Sequence, residues 1–211
     1  MLYLIGGPPR SGKTTVAQLL AKQKSIPYFS LDHVTSVVSP YIPRKEFKIK
    51  LPLRIALQIT KFSNDVFYGQ YSSKQIIDFY LVQAETYWAG VESFIKYALQ
   101  DDHDLILEGW QLLPHRLASL VTSENRHKMK ILFLYKTNVT HINDGLQAST
   151  AKNDWVMKNT KKSTTFAKIA KELSQFGSHF HKEAEKYHFK SINMDVDFKQ
   201  KIKVALKQLS S

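Results

Sequence analysis

Residues 5–15 read IGGPPRSGKTT, with Gly7, Gly12, Lys13 and Thr14 in the spacing Gly-x-x-x-x-Gly-Lys-Thr. That spacing makes a loop that wraps phosphate. Its glycines let backbone N–H groups turn inward, and the helix that follows adds its positive N-terminal end. Lys13 is placed to bridge the two outer phosphates of a nucleoside triphosphate, and the Thr14 hydroxyl to ligate Mg²⁺. The expected nucleotide-binding set is therefore Gly7, Pro8, Pro9, Arg10, Ser11, Gly12, Lys13, Thr14 and Thr15. Pro8 and Pro9 stiffen the loop and must lie where no N–H donor is needed.

The surroundings suit such a loop. LYLIG before it is a short apolar run ending at glycine and reads as a buried strand. KTTVAQLLAKQ after it carries Val16, Leu19 and Leu20 in a helical stripe. IPYFSLD is a second strand, ending at Asp32. DLILEGW and KMKILFLYK are a third and fourth, YHFKSINMD a fifth, and DFKQKIKVALKQL a closing helix with Phe198, Ile202, Ala205 and Leu209 inward. Strands alternating with helices predict an α/β three-layer fold, a five-stranded parallel sheet with helices on both faces. Ligands in such sheets bind beyond the carboxyl ends of the strands. Gly7–Thr14, Asp32 and Glu108 all fall there.

Two segments interrupt the alternation. Residues 33–100 are expected to form an acceptor-binding insertion. Its SPYIPRKEFKIKLPLRI stretch reads as irregular, and its later part as a helix with Ile76, Phe79, Tyr80, Gln83, Tyr87, Val91, Phe94 and Ile95 in register. Ser72 or Ser73 is the expected N-cap, and Gly90 marks a bend or a close neighbour. A long helix, TTFAKIAKELSQFGSHFHKEAEKY, buries Phe166, Ile169, Leu173, Phe176 and Phe180. The polar stretch before it, about 145–165, is the expected lid. All 211 residues are expected to form one domain.

Composition narrows the function. There is no cysteine, which excludes disulfides, thiolate metal sites and a cysteine nucleophile. MLYLIGG has no signal-peptide pattern and no apolar run is long enough to span a membrane, so a cytoplasmic protein is expected. The net charge of +12 is nearly all lysine, the arginines being Arg10, Arg44, Arg54, Arg116 and Arg126. Spread-out lysines read as a solvated surface that can draw in anionic substrates; nucleic-acid binding is disfavoured. His179-x-His181 points to opposite sides of a helix, and DDHD reads as a turn.

The chain resembles P-loop kinases of the nucleoside-monophosphate kinase and shikimate kinase group. The resemblance rests on the loop, Asp32 after the second strand, Glu108 ending the third, and the lysine-rich lid segment. ILEGWQLLP is similar to the EG segment of 2-phosphoglycerate kinase-like proteins. YLVQAETYWAGVESFIKYAL, NDW and KYHFKSINMD look like uncharacterised bacterial adenylate kinase-like proteins. The Asn-Lys-x-Asp string of GTP-binding switches is absent, and the length and the insertion suit a small kinase better than a motor.

This resemblance implies an ATP- and Mg²⁺-dependent kinase acting on a small, in one reading anionic, acceptor, as a monomer or homodimer. Asp32 is then the base for a hydroxyl acceptor, or alternatively a helix N-cap. Glu108 serves the metal, or alternatively pairs with a lysine. Trp110 and Gln111 are placed to line the acceptor pocket. Gln83, Glu85 and Trp88 are further pocket candidates, and Arg44 and Arg54 the groups to test for an anionic acceptor. Lids in this group usually carry arginine. Here Lys152, Lys158, Lys161 and Lys162 stand instead, so the transferring phosphoryl is left to these lysines, to Arg10, or to Arg116 or Arg126. Two rival readings stay open: a nucleoside-monophosphate (adenylate-like) kinase, which needs no base, and a nucleotide-binding regulatory ATPase without acceptor. A kinase of nucleotide sugars or nucleic-acid ends is a more distant alternative.

Overall fold

The computed structural model describes residues 1–101, 103–150 and 154–210. Among them a five-stranded sheet runs β2-β3-β1-β4-β5, all parallel. The strands are β1 (Leu2–Gly6), β2 (Tyr28–Ser30), β3 (Leu105–Gly109), β4 (Met129–Tyr135) and β5 (Lys190–Asn193). β1 lies at the centre, with Leu4 paired to Leu107 on one side and Ile131 on the other. The chain leaves β1 toward β2 and later crosses to β4. The phosphate loop therefore sits where the strand order reverses, the place where open α/β sheets bind ligands.

The helices are α1 (Lys13–Lys24), α2 (Asp32–Val38), α3 (Phe47–Lys50), α4 (Pro52–Ile59), α5 (Asn64–Gln70), α6 (Ser73–Gln100), α7 (Pro114–Leu120), α8 (Val139–Gln147), α9 (Trp155–Asn159), α10 (Ser163–Lys186) and α11 (Phe198–Ser210). Alternate strand residues serve opposite faces. Tyr3, Ile5, Leu132 and Leu134 meet Val16 and Leu20 of α1 and Ala205 and Leu209 of α11. Leu2, Leu4 and Phe133 meet Val91 and Ile95 of α6 and Phe176 and Phe180 of α10. Continuous apolar strands are what burial on both faces requires.

A third core lies off the sheet. Leu53 and Ala56 of α4, Phe67 and Tyr68 of α5, Ile76 of α6, Ile142 and Leu146 of α8, Val156 of α9, and Phe166 and Ile169 of α10 pack together. It joins the insertion to the segment expected to be the lid.

One expected element differs. The stretch from Ser39 onward is not irregular: it forms 3₁₀ turns at Ser39–Tyr41 and Arg44–Glu46, then α3 and α4. Pro40 and Pro52 stand in the first turns of their helices, where a missing N–H costs nothing, so they start helices rather than break them. Ser72 caps α6 in a reciprocal capping box with Gln75. Gly90 admits a close neighbour: a Cβ there would stand 3.2 Å from Val38 Cγ2. No helix among the described residues is long and apolar enough to cross a membrane.

Candidate active site

β1 ends at Gly6, and the loop rises over the end of the sheet into α1. Gly7 holds φ +130°, and a Cβ there would stand 2.0 Å from the Leu134 carbonyl oxygen, so the loop is pressed against β4. Arg10 also adopts a left-handed conformation, φ 64°. Lys13 is buried, and its Nζ donates to the Pro8 carbonyl at 2.7 Å across the loop. Burial pushes the ammonium below its usual range, while Glu108 and then Asp32 pull it back up. Ser11 Oγ is buried without a hydrogen-bond partner. A buried hydroxyl aching for a partner in this loop is what a phosphate-binding cradle leaves when its own chain does not fill it.

The expected metal pair is brought together. Thr14, on the first turn of α1, and Glu108, the buried penultimate residue of β3, approach to 3.3 Å between Oγ1 and Oε1. Neighbouring oxygens around an octahedral Mg²⁺ stand about 3 Å apart, given ligand bonds of roughly 2.0–2.1 Å. The hydroxyl and carboxylate thus fit a hard divalent cation, directly or through its water.

Asp32 is the first residue of α2 and Leu31 takes the N-cap position, so Asp32 does not cap the helix. Instead its Oδ1 accepts from Trp110 Nε1 and Gln111 Nε2, each at 3.0 Å. Both donors come from the turn after β3, and both bonds fall on one oxygen. Gln111 fits because position 109 is glycine: a Cβ there would stand 2.3 Å from Gln111 Oε1. Residues 108–111 thus form one unit that places Glu108 against Thr14 and holds Asp32.

The basic residues separate. Arg10 reaches Asp154, the N-cap of α9, at 3.0 Å; Asp154 also accepts from Val156 N and Met157 N. Arg116 on α7 is held by Glu85 of α6, with His115 on the same carboxylate at 2.7 Å. Arg126 lies in the 3₁₀ turn leading into β4, at the end of the strands opposite the loop. Lys158 is exposed at the end of α9, and Lys161 and Lys162 are exposed beyond it. Lys152 lies outside the described residues. Of the arginines considered for the transferring phosphoryl, Arg10 is the one that lines the donor cleft. Of the pocket candidates, Gln83 accepts from Arg54 N, Glu85 is taken by Arg116, and Trp88 packs in the sheet core. Arg44 is exposed on its 3₁₀ turn. Among the described residues no histidine, aspartate and glutamate group could hold a metal by itself.

The donor cleft has a volume of about 400 Å³ and continues from the loop to Lys136, Ile142, Gly145, Leu146 and Phe198. Lys136 lies 5.1 Å from the Phe198 ring, and its ammonium is held below the usual range chiefly by burial, against the pull of Asp195. Asp195 also accepts from Thr137 N, Thr137 Oγ1 and Asn138 N. The loop motif points to none of these residues. Their signal is position, since Lys136 follows β4 and Asp195 closely follows β5.

No protein-family model matches the chain. The chain is 28% identical over 121 residues to the curated mevalonate-3-phosphate 5-kinase of Thermoplasma acidophilum, covering 57% of this chain and 55% of that one. The match thus spans about half the length of that relative. In structure it is similar to shikimate kinase from Bacteroides thetaiotaomicron, at TM-score 0.50 and 12% identity over 100% of this chain and 96% of that one. It is equally similar to an uncharacterized protein from Eubacterium ventriosum, at TM-score 0.50 and 14% identity, covering 100% and 99%. The fold is a three-layer α/β P-loop fold, shared with that shikimate kinase. Over about half of its length the chain is also similar in sequence to a curated small-molecule kinase.

Proposed function

We propose that the protein transfers the γ-phosphoryl group of ATP to a hydroxyl of a small acceptor. The observation that carries this is Asp32, turned away from capping its own helix and held on one oxygen by two donors beside the Lys13, Thr14 and Glu108 group. The curated relative supports it, being by name a kinase of a small metabolite.

Lys13 and the loop hold the outer phosphates, and Arg10 stands ready to meet charge on the transferring group. Mg²⁺, held through Thr14 and Glu108, would screen the phosphate oxygens and keep them in line. Trp110 and Gln111 fix Oδ1 of Asp32, which leaves Oδ2 to accept the acceptor's hydroxyl proton. The acceptor oxygen then bonds phosphorus as the bridge to the β-phosphate breaks, and ADP leaves. A base is of no use to an acceptor that is already a phosphate, which is why this reading is preferred to a nucleoside-monophosphate kinase. A cytoplasmic location and action as a monomer or homodimer belong to the same proposal.

The test uses purified protein, Mg²⁺ and γ-labelled ATP with a fractionated metabolite extract. Lys13→Ala should abolish both nucleotide binding and labelling of any acceptor. Asp32→Asn should leave nucleotide binding within about twofold while slowing labelling by roughly 10²–10⁴-fold, the usual worth of a general base. Undiminished labelling with Asp32→Asn would sink the base assignment and favour a phosphate acceptor. ATP hydrolysis with no labelled product would favour the regulatory ATPase.

A further inference from the structure

The acceptor side contains a cavity of about 270 Å³ between the insertion and α9, at the small end of ligand pockets. Leu53 and Leu57 come from α4, Phe67 and Tyr68 from α5, Tyr80 from α6 and Trp155 from α9. Trp110 closes one side, and its Nε1 is the group that holds Asp32. Phe62, half exposed and at φ 59°, stands between α4 and α5 and also borders a second hollow that contains Arg54. The other two wall residues are Asn64 and Asn159.

Among the described residues no charged side chain lines this cavity. The amide nitrogens of its two asparagines are taken up by the protein itself, Asn64 donating to Thr160 Oγ1 and Asn159 to the Trp155 carbonyl. Behind the wall, the Tyr68 hydroxyl donates to Glu172. Burial raises the Glu172 carboxyl to about 8, so it too is uncharged at neutral pH. An anion placed here would lose its hydration and find no countercharge among the described lining residues. An apolar group would lose nothing and bury its surface against six aromatic side chains and two leucines.

We infer that this cavity takes the uncharged, apolar body of the acceptor, a small hydrophobic alcohol whose hydroxyl is delivered past Trp110 to Asp32. This deepens the transfer reading and rests on it. A charged group on the acceptor has no place inside the cavity, and would have to stay at its mouth.

The experiment separates the two readings. Binding is followed without nucleotide by tryptophan fluorescence in a Trp88→Phe background, which leaves Trp110 and Trp155 as reporters. The probes are benzyl alcohol and isoamyl alcohol, each set against its charged counterpart, benzyl phosphate and isovalerate. Transfer from ATP and Mg²⁺ to the same probes is followed by phosphorus NMR. The alcohols should bind at least about tenfold more tightly than the anions. Leu57→Lys should abolish that binding. Because Leu57→Lys could unfold α4, Phe62→Ala at the exposed mouth provides the second variant, with several-fold weaker alcohol binding and an unchanged melting temperature expected. Anions binding as well as the alcohols, or no probe binding, overturns the inference even if transfer to another acceptor is seen. Alcohols that bind while no compound is ever phosphorylated leave the cavity assignment standing and overturn the transfer reading.

Discussion

Asp32 shows how a side chain acquires a role from neighbours far off in sequence. Its place after the second strand is legible, because strand ends are where such sheets bind ligands. Its orientation is not, since Trp110 and Gln111 reach it from 78 and 79 positions away. Gln111→Leu should lower kcat for transfer by about tenfold with little change in KM for ATP, measured by steady-state kinetics. Glu172 was equally invisible: nothing in KELSQF marks a carboxyl that the fold buries beside Tyr68. Its folded value of about 8 lies above the ordinary carboxyl value of 4.5. Below about pH 4.5 the group is protonated whether folded or unfolded and costs nothing. As pH rises toward 8 the unfolded chain ionises and the folded one does not, so stability is lost across that window. Glu172→Gln should therefore raise stability by roughly 2–3 kcal/mol at pH 7 and far less at pH 4.5, measured by urea denaturation at both.

The helices and strands were the legible part. Apolar runs gave the strands, and spacings of three and four gave α6 and α10 with their inward residues. The short helices of residues 39–59 escaped because their stability comes from packing Leu53 and Ala56 into the third core, not from any periodicity long enough to read. Close approaches escaped as well. At Gly177 a Cβ would stand 1.9 Å from the Lys136 carbonyl oxygen, so α10 lies almost on the backbone that leaves β4. Gly177→Ala should cost roughly 2 kcal/mol or more, and it should disturb Lys136 in the donor cleft. Thermal melts with and without nucleotide would register both effects.

Across the whole molecule, the described part of the segment expected to be a lid is tied at several points. Asp154 binds Arg10 of the phosphate loop. Asn64 binds Thr160, and Asp65 accepts from Lys161 N and Lys162 N. The donor loop and the acceptor cavity are thus joined through α9. Asp154→Ala should loosen α9 and free Arg10. Faster amide exchange across residues 155–159 and a several-fold higher KM for ATP are expected; unchanged exchange would show that the other ties hold α9 unaided. The basic surface, by contrast, plays no part in this architecture, since the lysines that make the charge +12 are mostly outside the three cores.

One of the two cores on the sheet and the core beside it are shared by a single helix. The first half of α10 places Phe166, Ile169 and Leu173 in the outer core, and its second half places Phe176 and Phe180 against the strands. A change in α4 or α5 can therefore repack the outer core without reaching the strands that carry the phosphate loop. The two ends of α10 work like separate footings, and one can be rebuilt while the other bears its load.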